Sequence, residues 1–293
     1  ERHVAQYLRE AGYQCEAVGE IHESSSEASR LGFEHHAPDK RAVQVADCTI
    51  ERLKSLAESD RPFYLQAGCY EPHRIQSFDP EGDCTFVGTY MQADDALGVT
   101  VPGYLKGTPG TRAEMAELQG AVAHVDRQMG RILRALAELG LEDKTLVVFT
   151  TDHGIAMPRA KCSLYDPGVE VAMVMRLPTR DGWHGGRTVP ALVSNLDLFP
   201  TLLEAAGIAV PDKVEGRPLT PVLDGTTNHI RDEIFAELTF VGGFYHPMRC
   251  VRTPRHKLIV NFSEGRTIYD PSSSLRPRSD TLVPANLIFQ ARV

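Results

Sequence analysis

Between Thr111 and Phe149 the chain passes from a long amphipathic helix into a short, wholly apolar strand, and that succession restricts its fold more than any other feature. Thr111-x-x-Glu114 has the form of a capping box. Met115, Leu118, Val122, Val125, Met129, Leu133 and Leu136 come next at spacings of three and four, so one face of the helix is core. Gly140 ends the helix and Lys144 opens the strand. Leu146-Val147-Val148-Phe149 is continuous, β-branched and aromatic, as suits a strand buried on both faces of a parallel sheet. Sheets of that kind gather their chemistry at strand C-termini.

This strand runs directly into Thr150-Thr151-Asp152-His153-Gly154, with Lys161 seven residues beyond Gly154. A carboxylate and an imidazole side by side in a tight turn can both ligate one divalent cation, and Gly154 allows a backbone conformation other residues avoid. Oxygen-rich ligation suits calcium or magnesium. Asp followed by glycine-containing sequence also simply ends strands, so the three residues alone leave both readings open.

Helix and strand signals alternate elsewhere through about the first two-thirds, which implies βαβ units and a mixed, mostly parallel sheet flanked by helices. Val4, Leu8 and Ala11 mark a short helix, Gln14 to Ile21 a strand ending at His22, and Val43 to Leu56 a helix leading to a strand at Phe63. His22 and His73 therefore both fall just after strands. Ser77 to Gly110 is rich in Gly, Pro and Asp without periodicity, and its length suggests a loop that contacts substrate. Beyond about Gly225 the pattern changes to short alternating runs, Ile234 to Leu238, Met248 to Arg252, Leu258 to Phe262 and Thr267 to Tyr269. The expected organisation is a main α/β domain over residues 1–225 and a small antiparallel subdomain over 226–293.

A content of 42% hydrophobic and 24% charged residues supports one large core, and the formal charge of −8 argues against non-specific nucleic-acid binding. An anionic substrate would have to be captured by local Lys, Arg, His and metal charge. No apolar stretch approaches the ~20 residues needed to span a bilayer. The six cysteines are scattered without C-x-x-C spacing and read as reduced core residues before any disulfide. His35 and His36 adjoin without a partner ligand at a recognisable spacing and read as structural or exposed. Elbow, zincin, Walker and dinucleotide motifs are missing.

Asp152-His153-Gly154 with Lys161-Cys162-Ser163-Leu164-Tyr165, then Gly186-Arg187, Val193 to Leu203 and Gly216-Arg217-Pro218-Leu219, together resemble the sulfatase family of the alkaline phosphatase superfamily over nearly the whole chain. Phe63 to Gly68 ending in Glu71-Pro72-His73-Arg74, and Tyr245 to Arg249 with Val251-Arg252-Thr253, look most like the N-sulfoglucosamine sulfohydrolase (heparan N-sulfatase) branch. The resemblance implies an alkaline-phosphatase-like α/β fold with a small C-terminal antiparallel subdomain. It implies hydrolysis of a sulfate ester or sulfamate on a small sulfated substrate, most naturally a sugar. Asp152 and His153 would ligate calcium, with magnesium or manganese as substitutes, and Lys161 would pair with the sulfate. His73 would contact sulfate and leaving group, and His22 would bond a formylglycine hydroxyl and help break down the covalent sulfate intermediate. Arg74 would bind a substrate carboxylate or sulfate, with a solvated arginine as the competing reading. His246 is a further candidate for substrate recognition. A periplasmic or secreted location is suggested by the family alone.

Two departures qualify these expectations. Gly19-Glu20-Ile21-His22 stands where the family carries Gly-Lys-x-His, so Glu20 reverses a sulfate-binding charge. No Cys or Ser lies in the C/S-x-P-x-R context that yields formylglycine, and the expected upstream Asp pair is missing too. The expectation is that residues precede Glu1 and follow Val293 in a longer protein, and that this piece alone is inactive. Alternatives are a phosphodiester or phosphonate monoester hydrolase of the same superfamily, or a non-catalytic homologue that binds sulfated glycans.

Overall fold

The computed structural model describes residues 2–22, 24, 26–75, 84–241 and 244–263. The first unit runs α1 (Val4–Glu10), β1 (Gln14–Gly19), α2 (Ala28–Leu31), β2 (His35–Ala37), α3 (Ala42–Ala57) and β3 (Phe63–Gly68). Its strands form a parallel sheet in the order β2-β1-β3, with Gln14 opposite Phe63 and Gly19 opposite Gly68. This register brings the C-terminal ends of β1 and β3 level, so the segments holding His22 and His73 leave the sheet on one edge. Gly19 is required there: its φ is +85°, and a Cβ would meet the Gly68 carbonyl oxygen at 1.9 Å.

Side chains of β1 alternate between two helices, as the strand period dictates. Cys15 and Ala17 pack with Ala5, Leu8 and Phe33 on the α1 side. Glu16, 1% exposed, turns to α3, where Arg52 donates two hydrogen bonds to its carboxylate at 2.6 and 2.7 Å and the Gln14 amide a third at 2.8 Å. Burial alone would raise the pKa of Glu16, but the Arg52 and Gln14 contacts outweigh it and hold the carboxyl below the usual glutamate range. A depressed carboxyl stabilises the fold fully above its unfolded pKa of about 4.3, and that contribution is lost as pH falls through the folded value. Glu16→Gln is therefore expected to lower stability by about 1–3 kcal/mol near neutral pH. Urea titrations of both proteins against pH check this, with the gap closing in acid; a gap unchanged from pH 7 to pH 3 would contradict it.

The long helix α4 (Pro109–Glu138) packs on α3 and ends before Gly140, which adopts a φ of +66°. Its start differs from the capping-box reading. Thr108 is the N-cap, its hydroxyl accepting from the Thr111 amide at 3.1 Å, and Pro109 occupies the first turn, where a missing N–H costs nothing. Thr111 and Glu114 are instead buried inside the helix. The stretch 77–110 is also not simply a substrate loop. Residues 77–83 lie outside the described residues, and Phe86, Met91 and Leu105 are core, packed with Met115 and Leu118 of α4 and with Met157.

β4 (Val147–Thr150) comes next, then α5 (Asp166–Val169) and β5 (Met173–Arg176). β4 pairs with β5 antiparallel, and Phe149 is 40% exposed. The expectation of a strand buried on both faces of a parallel sheet is thus corrected: among the described residues β4 has one neighbouring strand, of opposite direction. The helices α6 (Leu198–Ala205) and α7 (Thr220–Leu223) lead to an antiparallel sheet in the order β6-β7-β8, made of β6 (Ile234–Val241), β7 (Phe244–Arg252) and β8 (Lys257–Asn261). Lys257 and Arg252 from this sheet reach Asp166 at 2.9 and 3.3 Å. The run Thr267–Tyr269 lies outside the described residues. Among the described residues no disulfide joins the cysteines, and no helix is long and apolar enough to cross a membrane.

Candidate active site

The segments that follow β1, β3 and β4 carry polar side chains that meet in pairs, His22 with Asp152 and His73 with Lys161. From β4, Asp152 and His153 form a tight turn in which the His153 amide donates to Asp152 Oδ1 at 2.9 Å. His153 Nδ1 lies 2.8 Å from the Gly154 carbonyl oxygen, to which it donates, and Nε2 lies 3.4 Å from Asp152 Oδ2. Gly154 is needed for a reason other than the one its sequence suggests. Its φ lies outside the left-handed region; a Cβ there would lie 1.7 Å from the Pro167 carbonyl oxygen, while its amide donates to the Gly168 carbonyl at 3.0 Å.

From β1, His22 comes within 3.7 Å of Asp152 through Nδ1. Its neighbour Glu20 is engaged by Lys40 at 2.9 Å, and that carboxylate holds the Lys40 pKa up. The reversed charge at position 20 is therefore offset by a lysine from a different segment, one the sequence did not single out. His36 serves the sheet: its Nε2 lies 2.9 Å from the Gly19 carbonyl oxygen.

From β3, His73 meets Lys161 across 88 positions of sequence, with Nε2 2.7 Å from Nζ. His73 Nδ1 is 2.8 Å from the Arg74 carbonyl oxygen, which assigns the Nδ1–H tautomer and leaves Nε2 to accept from the ammonium. The Tyr70 ring packs 4.8 Å from the imidazole and 5.5 Å from the Lys40 ammonium. Lys161 is flanked by two non-glycine residues in left-handed conformation, Arg159 (φ 65°) and Cys162 (φ 58°). Such conformations persist only where surrounding structure enforces them. Asn195, which the sequence reading gave no site role, donates to the Thr151 carbonyl at 3.3 Å beside the Asp-His turn.

Two candidates stand elsewhere. Arg74 is 3% exposed and turned into the protein, which contradicts its reading as a substrate contact or a solvated arginine. His246 is buried in the C-terminal sheet, where desolvation depresses its pKa.

The donor set fits a divalent cation in kind but not in number. Asp152 is a solvent-facing carboxylate, 62% exposed, with ring nitrogens beside it. Calcium takes six to eight ligands, mostly oxygen. Among the described residues no group of three or more His, Cys, Asp or Glu is arranged to hold a metal ion. Asp152 and His153 would supply part of a coordination sphere.

A family model described as Sulfatase matches residues 1–208, and one described as the C-terminal part of N-sulphoglucosamine sulphohydrolase matches residues 158–273. The human N-sulphoglucosamine sulphohydrolase is 27% identical over 292 residues, covering 87% of this chain and 56% of its own length. Among solved structures, a 2-O GAG sulfatase superposes with a TM-score of 0.63 at 22% identity, covering 88% of this chain and 64% of that one. A protein solved in complex with its substrate D-glucosamine-2-N,6-O-disulfate superposes with a TM-score of 0.66 at 17% identity, covering 93% and 76%. The chain spans about half the length of the curated relatives it matches.

Proposed function

This chain belongs to the sulfatase family, and from that premise we propose that the full-length protein hydrolyses a sulfate ester or sulfamate on a small sulfated sugar, with N-sulfated glucosamine as the favoured substrate. Its fold is the alkaline-phosphatase-like α/β architecture, with a C-terminal antiparallel sheet. The observation that supports the proposal is the His73–Lys161 contact at 2.7 Å, which joins an imidazole from the segment after β3 to an ammonium from the segment after β4.

Cleavage at sulfur needs cationic groups on the non-bridging oxygens and an acid for the departing oxygen or nitrogen. Lys161 supplies the first: with substrate present its ammonium exchanges the imidazole for a sulfonate oxygen. His73 supplies the second. Its Nδ1–H stays on the Arg74 carbonyl; once Lys161 has turned to the sulfonate, Nε2 takes a proton from solvent and passes it to the leaving atom. His22, beside Asp152, would bond the formylglycine hydroxyl and accept its proton as the covalent sulfate intermediate breaks down. The chain's net negative charge makes this local cluster, not the overall field, the means of capturing an anion.

Calcium held by Asp152 and His153, together with ligands from outside this chain, would supply Lewis-acid polarisation of the sulfonyl oxygens. Attack at sulfur is the chemistry a formylglycine from outside this chain would supply. A second reading, a non-catalytic homologue that binds sulfated glycans, draws on Glu20, whose charge Lys40 offsets.

Chelator treatment tests the proposal. Turnover of an aryl sulfate by the full-length protein is expected to fall to background and return with added calcium, and Asp152→Ala is expected to weaken calcium binding at least tenfold by calorimetry. Turnover indifferent to both would sink the metal assignment, and calcium binding without turnover of any sulfated substrate would favour the non-catalytic reading.

A further inference from the structure

We propose that Arg74 is a positioning residue that, with Glu114, fixes the loop carrying His73 against the loop carrying Lys161; the inference rests on the sulfate-site reading above and gives that site its internal frame. The side chain is buried and its guanidinium reaches three separate segments. Nε donates to the Ala156 carbonyl at 2.8 Å, Nη1 to the Cys84 carbonyl at 3.2 Å, and Nη2 to Glu114 Oε2 at 2.5 Å with Met157 Sδ at 3.0 Å. The guanidinium carbon lies 4.1 Å from the centre of the Phe86 ring.

Ala156 and Met157 belong to the turn that presents Lys161. The Lys161 amide donates back to the Ile155 carbonyl at 3.0 Å and the Ala160 amide to the Met157 carbonyl at 3.1 Å, so holding 156 and 157 holds the lysine. The main chain of Arg74 acts on the other partner. Its carbonyl accepts from His73 Nδ1 at 2.8 Å and from the Tyr70 hydroxyl at 3.3 Å, which sets the imidazole's tautomer and plane. One residue thus locates both ends of the 2.7 Å contact, His73 through its backbone and Lys161 through its side chain.

Stability alone gives little reason for this pair. A buried ion pair replaced by apolar side chains of similar volume is often no less stable, because desolvating two charges offsets their attraction. What an apolar pair cannot supply is a rigid planar fork donating in three directions at once, and a lysine has the charge without the fork. The arrangement serves geometry, in a site where small displacements are costly.

The test uses the full-length protein, with Arg74→Met/Glu114→Leu as one variant and Arg74→Lys as a second, compared by thermal midpoint, imidazole nitrogen shifts of His73, inorganic sulfate affinity and kcat. The double variant is expected to stay folded with a lowered thermal midpoint, because two buried carbonyls lose their donor, to lose the single Nδ1–H signature of His73, and to turn over roughly 10–100-fold more slowly. Arg74→Lys is expected to show the same losses and is decisive if the double variant does not fold. A folded variant that keeps wild-type His73 shifts and a kcat within about twofold overturns the proposal. Should wild-type protein hydrolyse no sulfated substrate, the function reading fails alone, because the His73 shifts still report whether Arg74 positions the site.

Discussion

Lys161→Ala in the full-length protein is expected to lower kcat/KM for a sulfated substrate by roughly 10²–10³-fold, the range seen when one preorganised donor is removed from a developing anion. The reasoning is geometric. Lys161 sits between two left-handed residues on a turn closed by the Ile155 carbonyl, so its ammonium is directed at His73 and is not left to wander in solvent. A cation held in that way needs no reorganisation when charge builds on the sulfonate oxygens. Alanine would also leave Nε2 of His73 without this donor. The effect should divide between KM and kcat, since Lys161 meets charge in the ground state and more of it in the transition state. Steady-state kinetics with inorganic sulfate as competitor would check this, and a variant within threefold of wild type in both kcat/KM and sulfate inhibition would remove Lys161 from the site.

Asp197→Ala is the substitution expected to cost most in stability, about 3–5 kcal/mol, because it strands a buried charge. Asp197 is fully buried and takes Arg231 through both oxygens at 2.5 and 2.6 Å. The same carboxylate accepts from the Ser194 and Arg217 amides at 2.8 Å each, and the Asp197 carbonyl accepts from the Thr201 hydroxyl at 2.5 Å. It therefore ties the start of α6 to the chain near Arg217 and to the segment entering β6. Alanine leaves a guanidinium and two amides without their acceptor. Asp197→Ala combined with Arg231→Met should recover part of the loss by removing the stranded charge. Denaturant midpoints at neutral pH would measure both; a single-variant loss below about 1 kcal/mol would mean that solvent or a neighbour replaces the carboxylate.

Much of the fold could be read from local pattern. The apolar stripe of α4, the Gln14 and Phe63 strands and the apolar run of β4 declare themselves through spacing and residue type within a dozen positions. Pairing does not declare itself in that way: the direction of β4 against β5 depends on residues 173–176, and the helix start turned on Thr108-Pro109 while Thr111-x-x-Glu114 imitated a cap three residues later. The site divides along the same line. Asp152, His153 and Lys161 stand out within one stretch, whereas the match of His73 to Lys161 and of Glu20 to Lys40 exists only after folding. Arg74 shows the limit most clearly. An arginine after Pro-His reads as exposed because charged side chains are seldom fully buried. Its partner Glu114 lies 40 positions away, on a helix face that looked like a cap.

The direct measurement of the central claim is sulfate release by the full-length protein, with calcium, from N-sulfoglucosamine, alongside an aryl sulfate and a phosphonate monoester at matched concentrations. A sulfatase built on the His73–Lys161 contact should release sulfate, fastest from the N-sulfated sugar. Faster turnover of the phosphonate monoester, or no sulfate from any substrate, would contradict it.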